Sequence, residues 1–133
     1  MDSVTLMKLA AEARLKAYVP YSGFKVGAAL LCKNGKVYTG CNIENAAYTP
    51  TNCAERTAFF KAVSEGEREF VKIAVIGGKD EPLPFCAPCG VCRQVMAEFC
   101  DENFILVLGD ENNFKEYRLN EVLPFSFGKK DLK

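Results

Sequence analysis

Hydrophobic residues recur at helical spacing near the start of the chain, at Leu6, Leu9, Ala10, Ala13 and Ala17. Positions three and four apart share one helical face, so this pattern predicts an amphipathic helix from a Ser3 cap to about residue 18. Later amphipathic segments predict helices over residues 53–65 and 89–99, and Gly66 ends the first of these. A short fourth helix is expected at residues 120–123.

Apolar runs bounded by turn residues predict the strands. Residues 26–31 and 37–39 flank an Asn34-Gly35 pair, and an Asn-Gly pair between apolar runs is the strongest short-range indication of a hairpin. The first two strands should therefore be antiparallel neighbours. Residues 71–76 and 104–108 lie on either side of the third predicted helix, and this strand-helix-strand order favours parallel pairing.

A weaker strand is expected at residues 114–118, which brings the predicted number to five. With 133 residues, of which 49% are hydrophobic, the chain is long enough for one domain with a sizeable core. We therefore predict a single α/β domain spanning residues 1–133. The expected architecture is three-layer α/β/α, with a central mixed sheet of about five strands flanked by helices.

Charge is balanced, with 17 basic and 17 acidic residues and no histidine. This balance argues against a nucleic-acid partner or an anionic membrane surface and favours a small, nearly neutral ligand. The start of the chain has no signal-like character, so a cytoplasmic location is expected. Without histidine, any catalytic scheme that requires an imidazole is excluded.

Two cysteine clusters each stand where a predicted helix begins. They are Cys53-Ala54-Glu55 and Pro88-Cys89-Gly90-Val91-Cys92, and they contain three of the seven cysteines. In a reducing compartment such crowding favours metal binding over disulfides. The unpaired N–H groups of a helix start favour the thiolate form. Asn52 is expected to cap the second helix, and Cys89 and Cys92 should share one face of the third.

Three thiolates, from Cys53, Cys89 and Cys92, leave a tetrahedral zinc ion one position short, and a catalytic zinc site keeps that position for water. Glu55 stands two residues from a ligand and can move protons of that water. Three thiolates also give the centre a net negative charge. Arg56 is the nearest fixed cation that can offset this charge by hydrogen bonding to a ligating sulfur.

Each of these residues also has a structural interpretation. Glu55 is the third residue after Asn52 and could serve only as the glutamate of a capping box. Cys86 forms a rival Cys-x-x-Cys pair with Cys89, although Pro88 pushes the preceding backbone out of the helix. A fourth ligand to a closed structural zinc could come from four other cysteines, namely Cys32, Cys41, Cys86 and Cys100. The Cys89 and Cys92 pair alone would also suit a thiol redox protein.

The whole chain resembles the small homotetrameric cytidine deaminases of pyrimidine salvage. Four segments carry this resemblance: residues 21–30 (YSGFKVGAAL), 40–48 (GCNIENAAY), 53–58 (CAERTA) and 88–94 (PCGVCRQ). The clusters match the zinc-deaminase signature, with cysteine where related base deaminases use histidine. The second segment is highly specific to the family.

The resemblance implies which residues contact the substrate. Asn42 and Glu44 would bind the ribose 3′-hydroxyl, and Phe24 would line the base pocket. Tyr48 would lie at a subunit boundary near the site. Phe127, at the position of the family's terminal phenylalanine, would stack on a cytosine in a neighbouring subunit.

Two further expectations concern the base. Phe125 stands where relatives have a small residue, so the pattern leaves open which of the two tail rings faces the base. Backbone N–H groups near Ala54 are available to hold the base oxygen O2.

The expected reaction is zinc-dependent hydrolytic deamination of cytidine and deoxycytidine to uridine and deoxyuridine, with release of ammonia. Rival enzyme activities are deamination of another cytosine compound, such as blasticidin S, or of deoxycytidylate. Glu44 argues against a bound phosphate by charge repulsion. From a different class, the alternatives are a structural zinc-binding module and the thiol redox protein.

Overall fold

A five-stranded sheet in the order β2-β1-β3-β4-β5 forms the centre of the computed structural model, which describes residues 1–132. The strands are β1 (Lys25–Cys32), β2 (Val37–Cys41), β3 (Phe70–Gly78), β4 (Ile105–Gly109) and β5 (Phe114–Arg118). The helices are α1 (Ser3–Arg14), α2 (Ala54–Ser64), α3 (Gly90–Phe99) and α4 (Leu119–Val122), and a 3₁₀ turn spans Lys129–Leu132.

Strand pairing confirms both predicted supersecondary units. β1 and β2 form an antiparallel hairpin in which Leu31 pairs with Val37 across the Asn34-Gly35 turn. β3 and β4 are parallel, with Ile73 opposite Leu106, and α3 makes the crossover between them. β1 also pairs with β3, and β5 with β4, both antiparallel, so the sheet is mixed.

Helices cover both faces of the sheet, as the three-layer prediction requires. Successive residues of β1 point to opposite faces: Ala28 and Leu30 pack with α2 and α3, whereas Ala29 and Leu31 pack with α1. Phe59 of α2 is fully buried on the first face and Leu6 of α1 on the second. Across residues 1–132, no helix combines the length and apolar character needed to cross a bilayer.

The first helix differs from its prediction at both ends. Its N-cap is Asp2, whose carboxylate accepts the N–H of Thr5, and Ser3 instead donates its hydroxyl to Glu116. The helix ends at Arg14 and not near residue 18. Tyr18 is drawn away because its N–H donates to the carbonyl of Asn42, a long-range contact that helical periodicity does not reveal.

The second and third helices begin one residue later than predicted, and a cysteine is the N-cap of each. Cys53 precedes α2 and Cys89 precedes α3, both with extended backbone and without a side-chain capping bond. The prediction that Asn52 caps α2 is wrong. Its side-chain amide donates to the hydroxyl of Thr57 instead. Both thiols are therefore left free for other partners at the start of a helix.

Gly40 fixes how closely α2 approaches β2, and Gly40→Ala is expected to lower the free energy of unfolding by about 1–3 kcal/mol. A Cβ at this position would lie 2.4 Å from the carbonyl oxygen of Ala54 and 2.6 Å from the amide nitrogen of Ala58, so α2 would have to shift. Urea denaturation measures the change. Gly128→Ala is the matched control, because its Cβ would meet nothing within 4 Å. Equal midpoints for the two variants would contradict the expected clash.

Candidate active site

The three predicted ligand cysteines meet at the starts of two helices. The Sγ atoms of Cys53 and Cys89 are 3.7 Å apart, and those of Cys89 and Cys92 are 3.5 Å apart. All three sulfurs lie within 4.8 Å of one another. Cys92 is buried in the first turn of α3, whereas Cys89 is exposed. One side of the cluster is therefore anchored in the core, and another faces outward.

The spacing of the sulfurs fits a zinc ion. A tetrahedral zinc with bonds of about 2.3 Å to sulfur separates its sulfur ligands by about 3.8 Å. The observed 3.5 and 3.7 Å separations are close to this value. Since zinc prefers thiolates and needs only three protein ligands at a catalytic site, the donor set and its geometry both suit this metal.

Arg56 provides the positive charge predicted beside the cluster. Its guanidinium donates to the Sγ of Cys53 over 3.3 Å, from the first turn of α2. Contacts with the Cys92 thiol, with Arg56 and with the Cys89 thiol lower the pKa of Cys53 to about 5, against the opposing effect of burial. Sharing that thiolate raises the pKa of Cys92. The Arg56 contact thus stabilises the thiolate form of Cys53, which is the form that binds a metal ion.

Glu55 is buried beside the three sulfurs, with 3% of its surface exposed. Burial raises the pKa of its carboxyl to about 7, and the neighbouring Cys53 charge acts in the same direction. Because Cys53 and not Asn52 is the N-cap, Glu55 is the second residue of α2 and does not occupy the capping-box position. A carboxyl group that can hold or release a proton near neutral pH is suited to proton transfer.

Cys86 does not belong to the sulfur cluster. Within residues 1–132, the only group of three or more potential ligands close enough to share a metal is Cys53, Cys89 and Cys92. Cys86 precedes α3 and packs against the core and Gly77, and burial raises the pKa of its thiol to about 12. The arrangement therefore favours a three-sulfur site over the closed four-sulfur alternative.

A backbone pairing brings the polar loop after β2 to the sulfur cluster. Ile43 and Asn52 exchange both of their N–H···O hydrogen bonds, each 2.9 Å long. In the antiparallel register of this pair, Asn42 is the neighbour of Cys53. Glu44 lies one residue beyond the pair. The loop thus places Asn42 opposite Cys53, and Glu44 two residues further along the loop, opposite Thr51.

The side chains of Asn42 and Glu44 are held by neighbouring backbone groups. Asn42 accepts the N–H of Val26 and donates to the carbonyl of Phe24, which fixes the start of β1. Glu44 accepts the N–H groups of Tyr21 and Ser22 and the Ser22 hydroxyl. These bonds lower the pKa of Glu44, so its carboxylate is charged near neutral pH.

Comparisons with known proteins agree with this geometry. Residues 2–108 match the family model described as the cytidine and deoxycytidylate deaminase zinc-binding region. The chain belongs to this family. A cytidine deaminase of Halalkalibacterium halodurans is 53% identical, over 99% of this chain and 98% of its own, and one of Sporosarcina psychrophila is 50% identical, over 99% and 96%. The crystal structure of a Burkholderia pseudomallei cytidine deaminase superposes with a TM-score of 0.88 at 47% identity, covering 96% of this chain and all of its own.

Membership in the deaminase family identifies zinc as the cofactor, and the three-sulfur cluster is positioned to hold it. The resemblance found in the sequence is thereby confirmed, as are the α/β fold and the expected cofactor. The roles of individual residues toward a substrate remain predictions.

Aromatic side chains predicted to contact the substrate lie at different depths. Phe24 is half-buried and packs against the core, as does Cys53. Tyr48 is 81% exposed and Phe127 59% exposed. Phe125 is fully exposed, and its φ of 55° is in the left-handed region that favours glycine. Its ring is therefore held away from its own chain.

Two residues next to the sulfur cluster make contacts that were not anticipated from the sequence. Arg93 and Gln94 directly follow Cys92, and their side chains donate to the backbone carbonyls of Pro88, Val122 and Phe127. Both residues fall within residues 88–94, one of the segments that carry the family resemblance, and this was the signal in the sequence that could have pointed to them. Periodicity could not assign the partners Val122 and Phe127, because their carbonyls are brought close to α3 only by the fold.

Proposed function

We propose that this protein catalyses the hydrolytic deamination of cytidine and deoxycytidine to uridine and deoxyuridine. In this reaction, water adds at C4 of the cytosine ring, the bond from C4 to the exocyclic nitrogen breaks, and ammonia leaves. The observation that carries the proposal is the placement of a buried carboxyl group, Glu55, two residues from a sulfur in a three-thiolate cluster.

Bound zinc supplies Lewis acidity, which makes water nucleophilic at neutral pH. Glu55 would accept a proton from the attacking water and deliver it to N3 of the cytosine. It would then take the proton of the new C4 hydroxyl group and deliver it to the departing amine, so that ammonia leaves and the C4 carbonyl forms. Its raised pKa, about 7, suits a group that must both take and give a proton. Arg56, bonded to Cys53, offsets part of the negative charge of the three thiolates.

The polar loop after β2 would bind the sugar. In this proposal, Asn42 and Glu44 contact the ribose 3′-hydroxyl, and their bonds to the backbone of residues 21–26 preset their positions. Tyr21, Ser22, Glu44 and Tyr48 line a depression of about 380 Å³ at this loop. The charged Glu44 carboxylate disfavours a phosphate at the same place, which supports a nucleoside over a nucleotide.

Groups at the start of α2 and at the end of the chain would hold the base. Ala54 is the first residue of α2, so its N–H lacks a partner within the helix and is available to the base oxygen O2. Phe24 would line the base pocket. Phe127 would stack on the base in the site of a neighbouring subunit.

A homotetramer with shared sites completes the proposal. Support comes from Tyr48, Phe125 and Phe127, which expose large aromatic surfaces on the single chain. We also propose a cytoplasmic location, because three reduced thiols are needed to bind the metal and a reducing compartment maintains them. A role in pyrimidine salvage follows from the proposed reaction. Sedimentation of the zinc-loaded protein tests the subunit number.

The reaction is tested by incubating zinc-loaded protein with cytidine, deoxycytidine, cytosine, CMP, deoxycytidylate and blasticidin S while following the loss of cytosine absorbance. Turnover of the two nucleosides, with weak turnover of both nucleotides, is expected. Preference for deoxycytidylate or blasticidin S would replace the proposed substrate. Absence of turnover with every compound, in protein that retains zinc, would favour a structural zinc module.

Arg56→Ala is expected to lower kcat by about tenfold while most of the zinc remains bound. The guanidinium bonds a sulfur but is not itself a metal ligand, so its loss leaves the three thiols in place and makes the centre more negative. Steady-state kinetics and metal analysis of the same preparation measure the two effects. Equal losses of activity and zinc would show that Arg56 serves to retain the metal.

Phe127→Ala is expected to raise KM for cytidine by roughly tenfold, since stacking of an aromatic ring on a base is worth about 1–3 kcal/mol. Phe125→Ala is the matched control two residues away, and a smaller change in KM is expected because Phe127, and not Phe125, stands at the position of the family's terminal phenylalanine. Initial rates at varied cytidine concentration measure both. A larger effect at Phe125 would assign the stacking role to that ring.

A further inference from the structure

The side chain of Arg93 joins two segments that are distant in sequence. Its Nε donates to the carbonyl of Pro88 over 2.8 Å, and one of its terminal nitrogens donates to the carbonyl of Val122 over 2.7 Å. Pro88 immediately precedes the sulfur ligand Cys89. Val122 is the last residue of α4, from which the C-terminal segment begins. One guanidinium therefore bonds two segments. The first is the loop that leads into Cys89, here called the metal-binding loop, and the second is the start of the C-terminal segment after α4, here called the tail.

The chemistry of arginine suits this bridge. A guanidinium is planar and presents several N–H donors in fixed directions, so it can hold two acceptors at a set separation. Arg93 is half-buried, and no carboxylate pairs with it within residues 1–132. Its two identified side-chain partners are backbone carbonyls. This arrangement indicates a role in positioning the backbone and not in a surface ion pair.

The next residue makes a second contact with the tail. Gln94 donates its side-chain amide to the carbonyl of Phe127 over 2.8 Å. Lys129 adds an ion pair with Glu98 one helical turn further along α3, although both groups are largely exposed and contribute little. The face of α3 that follows Cys92 thus holds the tail at its base and at the Phe127 backbone.

We propose that Arg93 and Gln94 are positioning residues that set the tail ring relative to the metal-binding loop. Arg93 holds the carbonyl before Cys89 and the end of α4 at a fixed separation, and Gln94 fixes the backbone that carries the Phe127 ring. The inference rests on the proposed function, in which that ring closes over a bound base. Two separate effects follow, since Arg93 touches the metal-binding loop and Gln94 does not.

The test compares Arg93→Met, Arg93→Lys and Gln94→Ala in zinc-loaded protein. Arg68→Met is the matched control, because Arg68 also donates to two backbone carbonyls, those of Val63 and Glu67. Those carbonyls lie at the far end of α2, about 15 Å along the helix from Cys53. Three quantities are measured: the rate of zinc transfer to a chromophoric chelator, the rate of chymotryptic cleavage at residues 125–127, and KM and kcat for cytidine.

Arg93→Met is expected to speed zinc transfer on the order of tenfold and tail cleavage severalfold, because a residue that orients a metal ligand affects metal retention by 10- to 100-fold. Gln94→Ala should raise KM about fivefold and speed tail cleavage, with zinc transfer and kcat unchanged, as loss of one hydrogen bond predicts. Arg93→Lys keeps the charge but presents one nitrogen in place of two and should fall between wild type and Arg93→Met. Arg68→Met should match wild type in all three measurements.

Wild-type zinc transfer in a folded Arg93→Met variant would overturn the role of Arg93. Zinc transfer at the wild-type rate in Arg93→Lys, together with fast zinc transfer in Arg93→Met, would show that a positive charge suffices. This result would overturn the inference that Arg93 acts by bonding two carbonyls. If Arg93→Met does not fold, Arg93→Lys and Gln94→Ala still decide the matter. Zinc transfer and tail cleavage can be measured without turnover. They therefore test whether Arg93 links the metal-binding loop to the tail, even if the wild-type protein deaminates no nucleoside and the proposed function is wrong.

Discussion

Glu55→Gln is expected to lower kcat for cytidine by about 10²–10⁴ while the protein remains folded and zinc-loaded. Glutamine preserves the size and shape of the side chain but cannot take a proton from water or return one to the base. Because Glu55 is buried at the start of α2, the uncharged amide also spares the fold an unpaired charge, so the melting temperature should not fall. Kinetics, metal analysis and thermal denaturation of one preparation measure these quantities.

The combined changes in kcat, zinc content and melting temperature distinguish proton transfer by Glu55 from a structural or metal-binding role. A decrease confined to kcat, with zinc content and melting temperature retained, is the result that proton transfer requires. Glu67→Gln is a suitable control, since Glu67 lies after the other end of α2 and bonds Asn34 and Tyr38, away from the sulfur cluster. Turnover by Glu55→Gln within a few-fold of wild type would remove Glu55 from the mechanism.

Cys89→Ser is expected to weaken zinc binding by at least about 100-fold and to abolish most deamination. Binding of zinc to such ligand sets is worth roughly 10–16 kcal/mol in total, so the loss of one thiolate removes a large share of it. Cys89 is the exposed member of the cluster, and its replacement leaves no cavity in the core. A fall in zinc content can therefore be assigned to lost coordination. Competition with a chelator of known affinity measures the change.

Cys86→Ala provides the matched control three residues earlier. Its sulfur lies outside the cluster, so zinc affinity and activity should stay near those of wild type. Removal of zinc from the wild-type protein should also expose three additional reactive thiols. Four released thiols, or a loss of zinc in Cys86→Ala equal to that in Cys89→Ser, would contradict the three-sulfur site.

Local patterns in the sequence were sufficient for most of the secondary structure. The Asn34-Gly35 turn between apolar runs located the β1–β2 hairpin, and the apolar run of β3 before α3 indicated a parallel neighbour in β4. These features depend on residues close in the chain. The end of α1 was placed too late, because the contact that stops the helix, from Tyr18 to Asn42, spans 24 positions.

The candidate site likewise has features that the sequence predicted and features that it did not. Spacing was sufficient to predict that Cys53, Cys89 and Cys92 form one cluster, because metal ligands of a given type and order restrict the chemistry strongly. The catalytic role of Glu55 stays a prediction. The capping of α2 was predicted wrongly, because the side-chain amide of Asn52 donates to Thr57, five residues along the chain, and Cys53 takes the N-cap position.

By itself, the sequence determined the kinds of ligand, the absence of an imidazole and the two helix starts at which the thiols stand, since these depend on residue identity and short-range geometry. The tertiary structure decided that three sulfurs and not four converge, that Glu55 is buried beside them, and that Arg93 reaches both Pro88 and Val122. Convergence of groups 29 and 36 positions apart depends on how the sheet packs its two helical layers. No local pattern contains that information, because the contacts exist only once the chain has folded.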